Sequence, residues 1–294
     1  MKDKKGILAR LALLLTATIW GTSFVILKNV LSNVGVFWVM ALRFTVAAVI
    51  FGIVAARSLR HLNRPTLICG ILSGICLAVA YVVQTFGLKY TTPGKNAFLT
   101  AIYCVEVPFL IWIFFQRRPK KHNVVAALLS VAGIGFVSLG KSFGNMNIGD
   151  ILTLASSLFY ALQIVVVDKY ILEADSTAIT AIEFVVAAVL CWIGAMVFEE
   201  PPVGLDISSW LSIIYMGAAC TGLCFFLQAW GLRYTPAPTA AVIMTLESVI
   251  GAACSVIFYD DKLTAKLLVG FLLIFASVII SETGLSAFRR KRKA

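Results

Sequence analysis

Ten apolar runs, each long enough to cross a bilayer as a helix, dominate this 294-residue chain. They lie at 7–27, 36–56, 66–88, 94–115 and 123–140 in the first half, and at 148–169, 177–198, 208–232, 237–259 and 264–283 in the second. Crossing the hydrocarbon core takes about 20 apolar residues as a helix. Ten crossings therefore occupy about 200 residues, which leaves no room for a separate soluble domain. Composition agrees: 60% of residues are apolar and 13% charged, against roughly half and a quarter in soluble domains. The runs are continuous rather than alternating, which disfavours a porin-like barrel. Helix is the remaining way to satisfy the backbone inside lipid. The chain reads as an all-α integral membrane protein with ten transmembrane helices, its partner being the lipid bilayer.

The first run follows Lys2, Lys4, Lys5 and Arg10, as the apolar region of a signal peptide would. It has no small-residue cleavage pattern and its apolar stretch is too long, so it is read as a retained first span. Lysine and arginine sort by face. With the N-terminus inside, one face collects those four, then Arg57, Arg60, Arg64, Arg117, Arg118, Lys120, Lys121, Lys169 and Arg233, and the tail Arg289, Arg290, Lys291, Arg292 and Lys293. The other face has Lys28, Lys89, Lys95, Lys141, Lys262 and Lys266. The bias fits an even span number with both termini cytoplasmic, in the cell membrane. The net charge of +11 is thus a topology signal, and no nucleic-acid partner is expected. Lipid-facing and protein-facing apolar surfaces share one composition, so the sequence sets no oligomeric state.

All seven cysteines fall within spans, where small apolar packing is their ordinary role. Both histidines, His61 and His122, lie in loops. The same census offers no metal site, no cofactor motif and no nucleophile–base pair, so an enzyme is not expected.

The halves resemble each other. RFTVAAVI from Arg43 matches EFVVAAVL from Glu183 at a spacing of 140, and QTFGLKYT from Gln84 matches QAWGLRYT from Gln228 at 144. Five spans per half is an odd number, so the second copy enters the membrane upside down. The expected organisation is two inverted five-helix repeats, residues 1–143 and 144–294, the second ending in the basic tail. Such repeats are a transporter architecture, because they let one chain open to either face.

WGTSF in the first span, ALRF in the second and QTFGLKYTTPGKNAFLTAIYCVEVPF across the third and fourth form an ordered set. GDILTLASSLFYAL in the sixth and LRYTPAPTAAVIMTLESVIGA across the eighth and ninth continue it. In order and spacing these resemble the ten-helix EamA branch of the drug/metabolite transporter superfamily, over nearly the whole chain. The resemblance implies export of amino acids or other small metabolites without ATP or cofactor. That family often carries Glu-Pro in the ninth span, where this chain has Glu247-Ser248; the proline that would kink the helix is missing.

Four ionisable residues, Arg43, Glu106, Glu183 and Glu247, lie well inside spans. A charge at the bilayer centre costs about 2.5–3.5 kcal/mol on the mildest scale, so each should face a partner or water. Glu106 is roughly 18 Å and Glu247 roughly 15 Å along their helices, near the midplane of a core about 30 Å thick. They are read as repeat equivalents at a common depth. Pro108 cannot donate to the Cys104 carbonyl and should bend the fourth span there. Arg43 lies roughly 10 Å down, able to snorkel, to pair with a glutamate, or to receive a substrate carboxylate. Glu183, its repeat counterpart, reads equally as a counter-ion or as snorkelling. Trp20, Tyr81 and Tyr103 are the aromatic candidates for lining a cavity. The substrate-binding set is therefore Arg43, Glu106, Glu247, Trp20, Tyr81 and Tyr103.

The leading reading is alternating-access export of a small metabolite such as an amino acid, its carboxylate on Arg43 and its amine on Glu106 or Glu247. Proton coupling through the glutamates is a subsidiary expectation. Uptake of a nutrient or vitamin on the same fold is the alternative, and a non-transporting membrane protein is the alternative of another class.

Overall fold

A computed structural model of the chain describes residues 2–138, 147–170, 173–235, 237–259 and 261–283. The expected repeat boundary at 143/144, Lys141 and the basic tail lie outside them. The helices are α1 (Lys2–Val30), α2 (Val36–Val54), α3 (Arg64–Tyr90), α4 (Pro93–Thr100), α5 (Tyr103–Phe115), α6 (Lys121–Ser138), α7 (Ile148–Tyr170) and α8 (Ser176–Phe198). There follow α9 (Ile207–Tyr215), a π-helical segment (Met216–Leu223), α10 (Cys224–Tyr234), α11 (Ala237–Met244), α12 (Leu246–Tyr259) and α13 (Ala265–Thr283). Ten helical stretches are long and apolar enough to cross a membrane, at the places read from the sequence. Span 4 is α4 with α5, span 8 is α9 through α10, and span 9 is α11 with α12.

The side chains are distributed as lipid requires. Ile53, Met196, Phe198 and Val131 stand exposed on the outside of the bundle, while Arg43, Asp150 and Glu183 are buried within it. In water so much exposed apolar surface would drive association; in a bilayer it is simply solvated.

Two helix breaks arise without a helix breaker. Span 4 is interrupted at Ala101 and Ile102, before Pro108. The carbonyl that Pro108 leaves free, that of Cys104, accepts from the Ser281 hydroxyl at 3.1 Å. The proline is therefore absorbed inside α5 by a neighbouring span, as polar side chains allow in membranes. Span 9 breaks at Thr245, whose hydroxyl donates to the Val242 carbonyl at 2.8 Å. Discontinuous spans of this kind form transporter sites.

Spans 1–5 can be exchanged with spans 6–10 and most contacts survive. The α3–α7 packing becomes α10–α1, α1–α12 becomes α7–α5, and α2–α8 and α6–α13 map onto themselves. Several smaller ones do not, α11 on α13 and α5 on α6 among them. Among the larger differences, α4 packs closely on α12, whereas its counterpart, α5 on α11, makes at most a marginal contact. The bundle is thus closed at the face where α4 meets α12 (the far face) and splayed at the face where α1 begins (the N-terminal face).

Glycines permit the far-face closure. A Cβ at Gly149 would sit 2.7 Å from both the Gly87 carbonyl oxygen and the Thr91 nitrogen. Both are backbone atoms and cannot rotate away. Overpacking of this kind costs about 1–3 kcal/mol. Gly149→Val should therefore lower the melting temperature of the detergent-purified protein by several degrees, and an unchanged melting curve would show that α3 and α7 do not approach so closely.

Candidate functional site

A cavity of about 390 Å³ lies at mid-depth between spans 1, 2, 3, 4, 6, 8 and 9. It adjoins a second of about 330 Å³ that extends between α5, α11 and α13. Thr100, Tyr103, Gln228 and Glu247 line both. Val167, Leu232 and Glu282, each in the last turn of its span, mark the N-terminal side of this joint chamber.

Arg43 is the chamber's cation and is only 3% exposed. Its Nε donates to the Thr221 hydroxyl at 2.8 Å, and its guanidinium carbon lies 4.7 Å from the Tyr81 ring centre. Thr221 itself donates to the Met216 carbonyl at 3.0 Å, five residues back, a reach set by the π-helical segment. That segment also turns the Cys220 carbonyl to Trp20, whose Nε1 donates to it at 2.6 Å. π-Segments are frequent at functional sites. The remaining guanidinium donors meet no protein acceptor among the described residues and face the cavity. No carboxylate pairs with Arg43; the one ion pair among the described residues is Lys95–Asp150.

Glu247 enters from the first turn of α12, where the helix dipole favours a negative charge. Gly21 sets its height, since a Cβ there would come within 2.8 Å of the Glu247 carbonyl oxygen. The Glu247 carboxyl lines both cavities and has no hydrogen-bond or ion-pair partner among the described residues. Around the two charges stand Trp20 against Phe225, Tyr81 against Tyr160, and Tyr160 near Tyr103, with ring centres 5.7, 5.3 and 6.1 Å apart. Gln84 holds Tyr160 by accepting from its hydroxyl at 2.8 Å and donates to Thr100 at 2.8 Å.

Five of the six residues expected at a site therefore line one chamber: Arg43, Glu247, Trp20, Tyr81 and Tyr103. Glu106 does not. It lies at the α5–α7 contact, where Ser157 donates to its Oε1 at 3.0 Å and its Oε2 is buried without a partner. The reason is register. At the spacing of 144 that aligns the flanking motifs, the residue matching Glu247 is Tyr103; Glu106 falls on another face of α5. Glu183 is no counter-ion to Arg43 and does not snorkel. It is 2% exposed and accepts from Gln163 at 2.9 Å.

Glu282, Phe225 and Thr221 went unnoticed in the sequence. Glu282 sits at the very end of its span and looks like an interfacial charge. The available signal was helical spacing: it shares a face with Val278, at i and i+4, and both line the second cavity.

A second polar cluster seals the far face. Asp150, fully buried, accepts from the Thr91 hydroxyl at 2.5 Å and from Lys95 Nζ at 3.3 Å. Beneath it Asn96 donates to Thr153 at 2.8 Å and to the Gln84 carbonyl at 3.2 Å. Lys28 closes the end of α3 by donating to the carbonyls of Leu88, Lys89 and Thr91 at 2.5, 3.1 and 2.7 Å.

A ten-span helical bundle around a mid-depth chamber that holds unpaired charges is the build of a membrane transporter. Residues 7–139 and 147–283 each match the EamA-like transporter family, and the chain belongs to it. An "Uncharacterized transporter" of Archaeoglobus fulgidus is 30% identical, covering 94% of this chain and 86% of its own. A "Probable amino-acid metabolite efflux pump" of Escherichia coli strain K12 is 24% identical over 100% of this chain and 98% of its own. The "Biotin transporter" of Salmonella typhimurium is 19% identical over 90% of each. One crystal structure superposes with a TM-score of 0.67 at 17% identity, covering 96% of this chain and 98% of its own, which shows the shared fold.

Proposed function

We propose that this transporter exports a small zwitterionic metabolite of the amino-acid class across the cell membrane by alternating access between inverted repeats. One observation carries the reading. Arg43 and Glu247, opposite in charge and each without a charged protein partner among the described residues, face a single aromatic chamber. A buried charge is stable only when paired or hydrogen-bonded. A substrate carboxylate on Arg43 and a substrate ammonium on Glu247 would supply both missing partners. The lysine and arginine bias puts the N-terminal face in the cytoplasm, so the splayed side is the loading side for an exporter. The E. coli efflux relative fits that direction.

The test is a screen of the purified protein for melting-temperature shifts with amino acids, repeated on Glu247→Gln. Glutamine keeps the shape and removes the charge, so zwitterion affinity should fall by about tenfold or more, the weight of one charge-assisted hydrogen bond of about 1.5–3 kcal/mol. Vesicle transport with and without a pH gradient reads the coupling. A Glu106→Gln/Glu247→Gln pair that transports normally under the gradient would end the idea that these glutamates carry the proton. Uptake of a carboxylate vitamin is the second reading, suggested by the Salmonella biotin relative. Such a cargo needs Arg43 but has no amine, and Glu247→Gln would leave its binding unchanged.

A further inference from the structure

Glu183 is the buried charge that the chamber leaves without a task. It occupies the repeat position of Arg43, is 2% exposed and forms no ion pair among the described residues. Its surroundings hold it still. Phe184, the next residue, is fully buried, and a Cβ at Gly74 would sit 3.0 Å from the Glu183 Cα, so α3 presses on α8 at this height. A buried carboxyl is tolerated only when hydrogen-bonded. Glu183 Oε1 accepts from Gln163 Nε2 at 2.9 Å, and the Ser73 hydroxyl also reaches the carboxyl.

Gln163 stands on α7 and lines the first cavity. A side-chain amide has two unlike ends, an NH2 that donates and an oxygen that accepts. Glu183 takes the donating end, because the reverse orientation would set the amide oxygen against the carboxylate oxygen. The accepting end, Gln163 Oε1, makes no hydrogen bond among the described residues and is not one of the sealed, unpaired polar atoms. It opens on the cavity that also holds Glu247. Gln228 lines that cavity too, but no hydrogen bond among the described residues fixes which end of its amide faces inward. A primary ammonium carries three N–H donors, and Glu247 is a single side chain. A neutral acceptor whose direction is set before the cargo arrives adds affinity without a cost of ordering.

We infer that Glu183 is a positioning residue: by holding the Gln163 amide, it presents Gln163 Oε1 to the cargo ammonium as an acceptor in addition to Glu247. This rests on the amino-acid reading above. The two repeat-equivalent positions then serve opposite ends of one cargo, Arg43 directly and Glu183 through one amide.

The experiment compares leucine with isocaproate, which keeps its carboxylate and stem and lacks the amine, by binding to the full-length purified protein. In the parent, leucine should bind more tightly. Gln163→Leu should weaken leucine roughly tenfold, the weight of one charge-assisted hydrogen bond, and leave isocaproate unchanged. Glu183 lines neither cavity, yet Glu183→Met should give the same pattern. Glu183→Gln should restore leucine to near the parent level, because its carbonyl oxygen again accepts from Gln163. Equal loss of both ligands in Glu183→Met, or loss of neither, overturns the inference. So does a Glu183→Gln that behaves like Glu183→Met, since charge rather than orientation is then at work. Should Glu183→Met fold poorly, Gln163→Leu decides, and unchanged leucine binding there ends the idea. If Glu247→Gln weakens leucine and none of these variants does, the role of Glu183 is wrong while the amino-acid reading stands. If the parent binds isocaproate as well as leucine, or binds neither, the amino-acid reading fails and takes this inference with it.

Discussion

Replacing Arg43 with Met should cut transport roughly thirtyfold or more while leaving the protein as thermostable as the parent, or more so. Arg43 is nearly fully buried, held by one hydroxyl and one aromatic face, and has no carboxylate partner among the described residues. Such a charge is a cost to the resting fold. Replacing buried ionic groups with well-packed apolar ones is often neutral or stabilising by about 1–4 kcal/mol. Met fills a similar volume, and Thr221 stays satisfied through its own bond to the Met216 carbonyl. The proposed cargo carboxylate would lose a bidentate cation. Truncating one side of a buried, hydrogen-bonded charge pair costs about 2–5 kcal/mol, so transport should fall roughly thirtyfold or more at about 1.4 kcal/mol per tenfold. A structural arginine behaves the opposite way. If Arg43→Met melts many degrees lower and its transport falls only as folded protein is lost, Arg43 is part of the scaffold and not of the site.

This dissociation follows from how the site could be read at all. Arg43 and Glu247 were visible because an ionisable group within an apolar run contradicts its surroundings. Trp20, Tyr81 and Tyr103 were visible because aromatic rings with polar tips want a partner when buried. Other parts of the molecule carry no such contradiction. The breaks at Ala101–Ile102 and Thr245 use residues that sit comfortably in helices, and only the packing of neighbouring spans interrupts them. Pro108 looked like the breaker, and Ser281 cancels it. Glu106 looked like the partner of Glu247 because both are glutamates near mid-depth. Depth sets height along the bilayer and says nothing about which face of a helix a residue occupies. Glu282 hid for the complementary reason, since a charge at a span's end contradicts nothing.

Asp150→Asn should shift the resting protein toward the state open at the far face. The argument comes from a large contact that the repeat exchange fails to reproduce. α4 packs closely on α12, α5 makes at most a marginal contact with α11, and among the described residues the Lys95–Asp150 pair lies on the closed side. By the same repeat spacings Asp150 corresponds to Arg10, Thr153 to Leu13 and Asn96 to Ala240. Arg10 is exposed, Leu13 is fully buried apolar packing, and Thr235, the counterpart of Thr91, has a buried hydroxyl without a partner. Among the described residues, the positions equivalent to the far-face lock do not form one at the N-terminal face. Removing the Asp150 charge weakens its bond to Lys95, which is a quarter exposed at 24% and able to reach water. One charge-assisted hydrogen bond is worth about 1.5–3 kcal/mol, enough for a shift of roughly tenfold or more in the balance of the two states. Hydrogen–deuterium exchange reads it without added probes. Residues 93–100 and 252–259 should exchange faster than in the parent, and residues 103–110 and 242–246 more slowly, as α5 and α11 close. A variant that is merely less stable exchanges faster in all four segments, and that outcome would show that Asp150 holds the fold together rather than the gate shut.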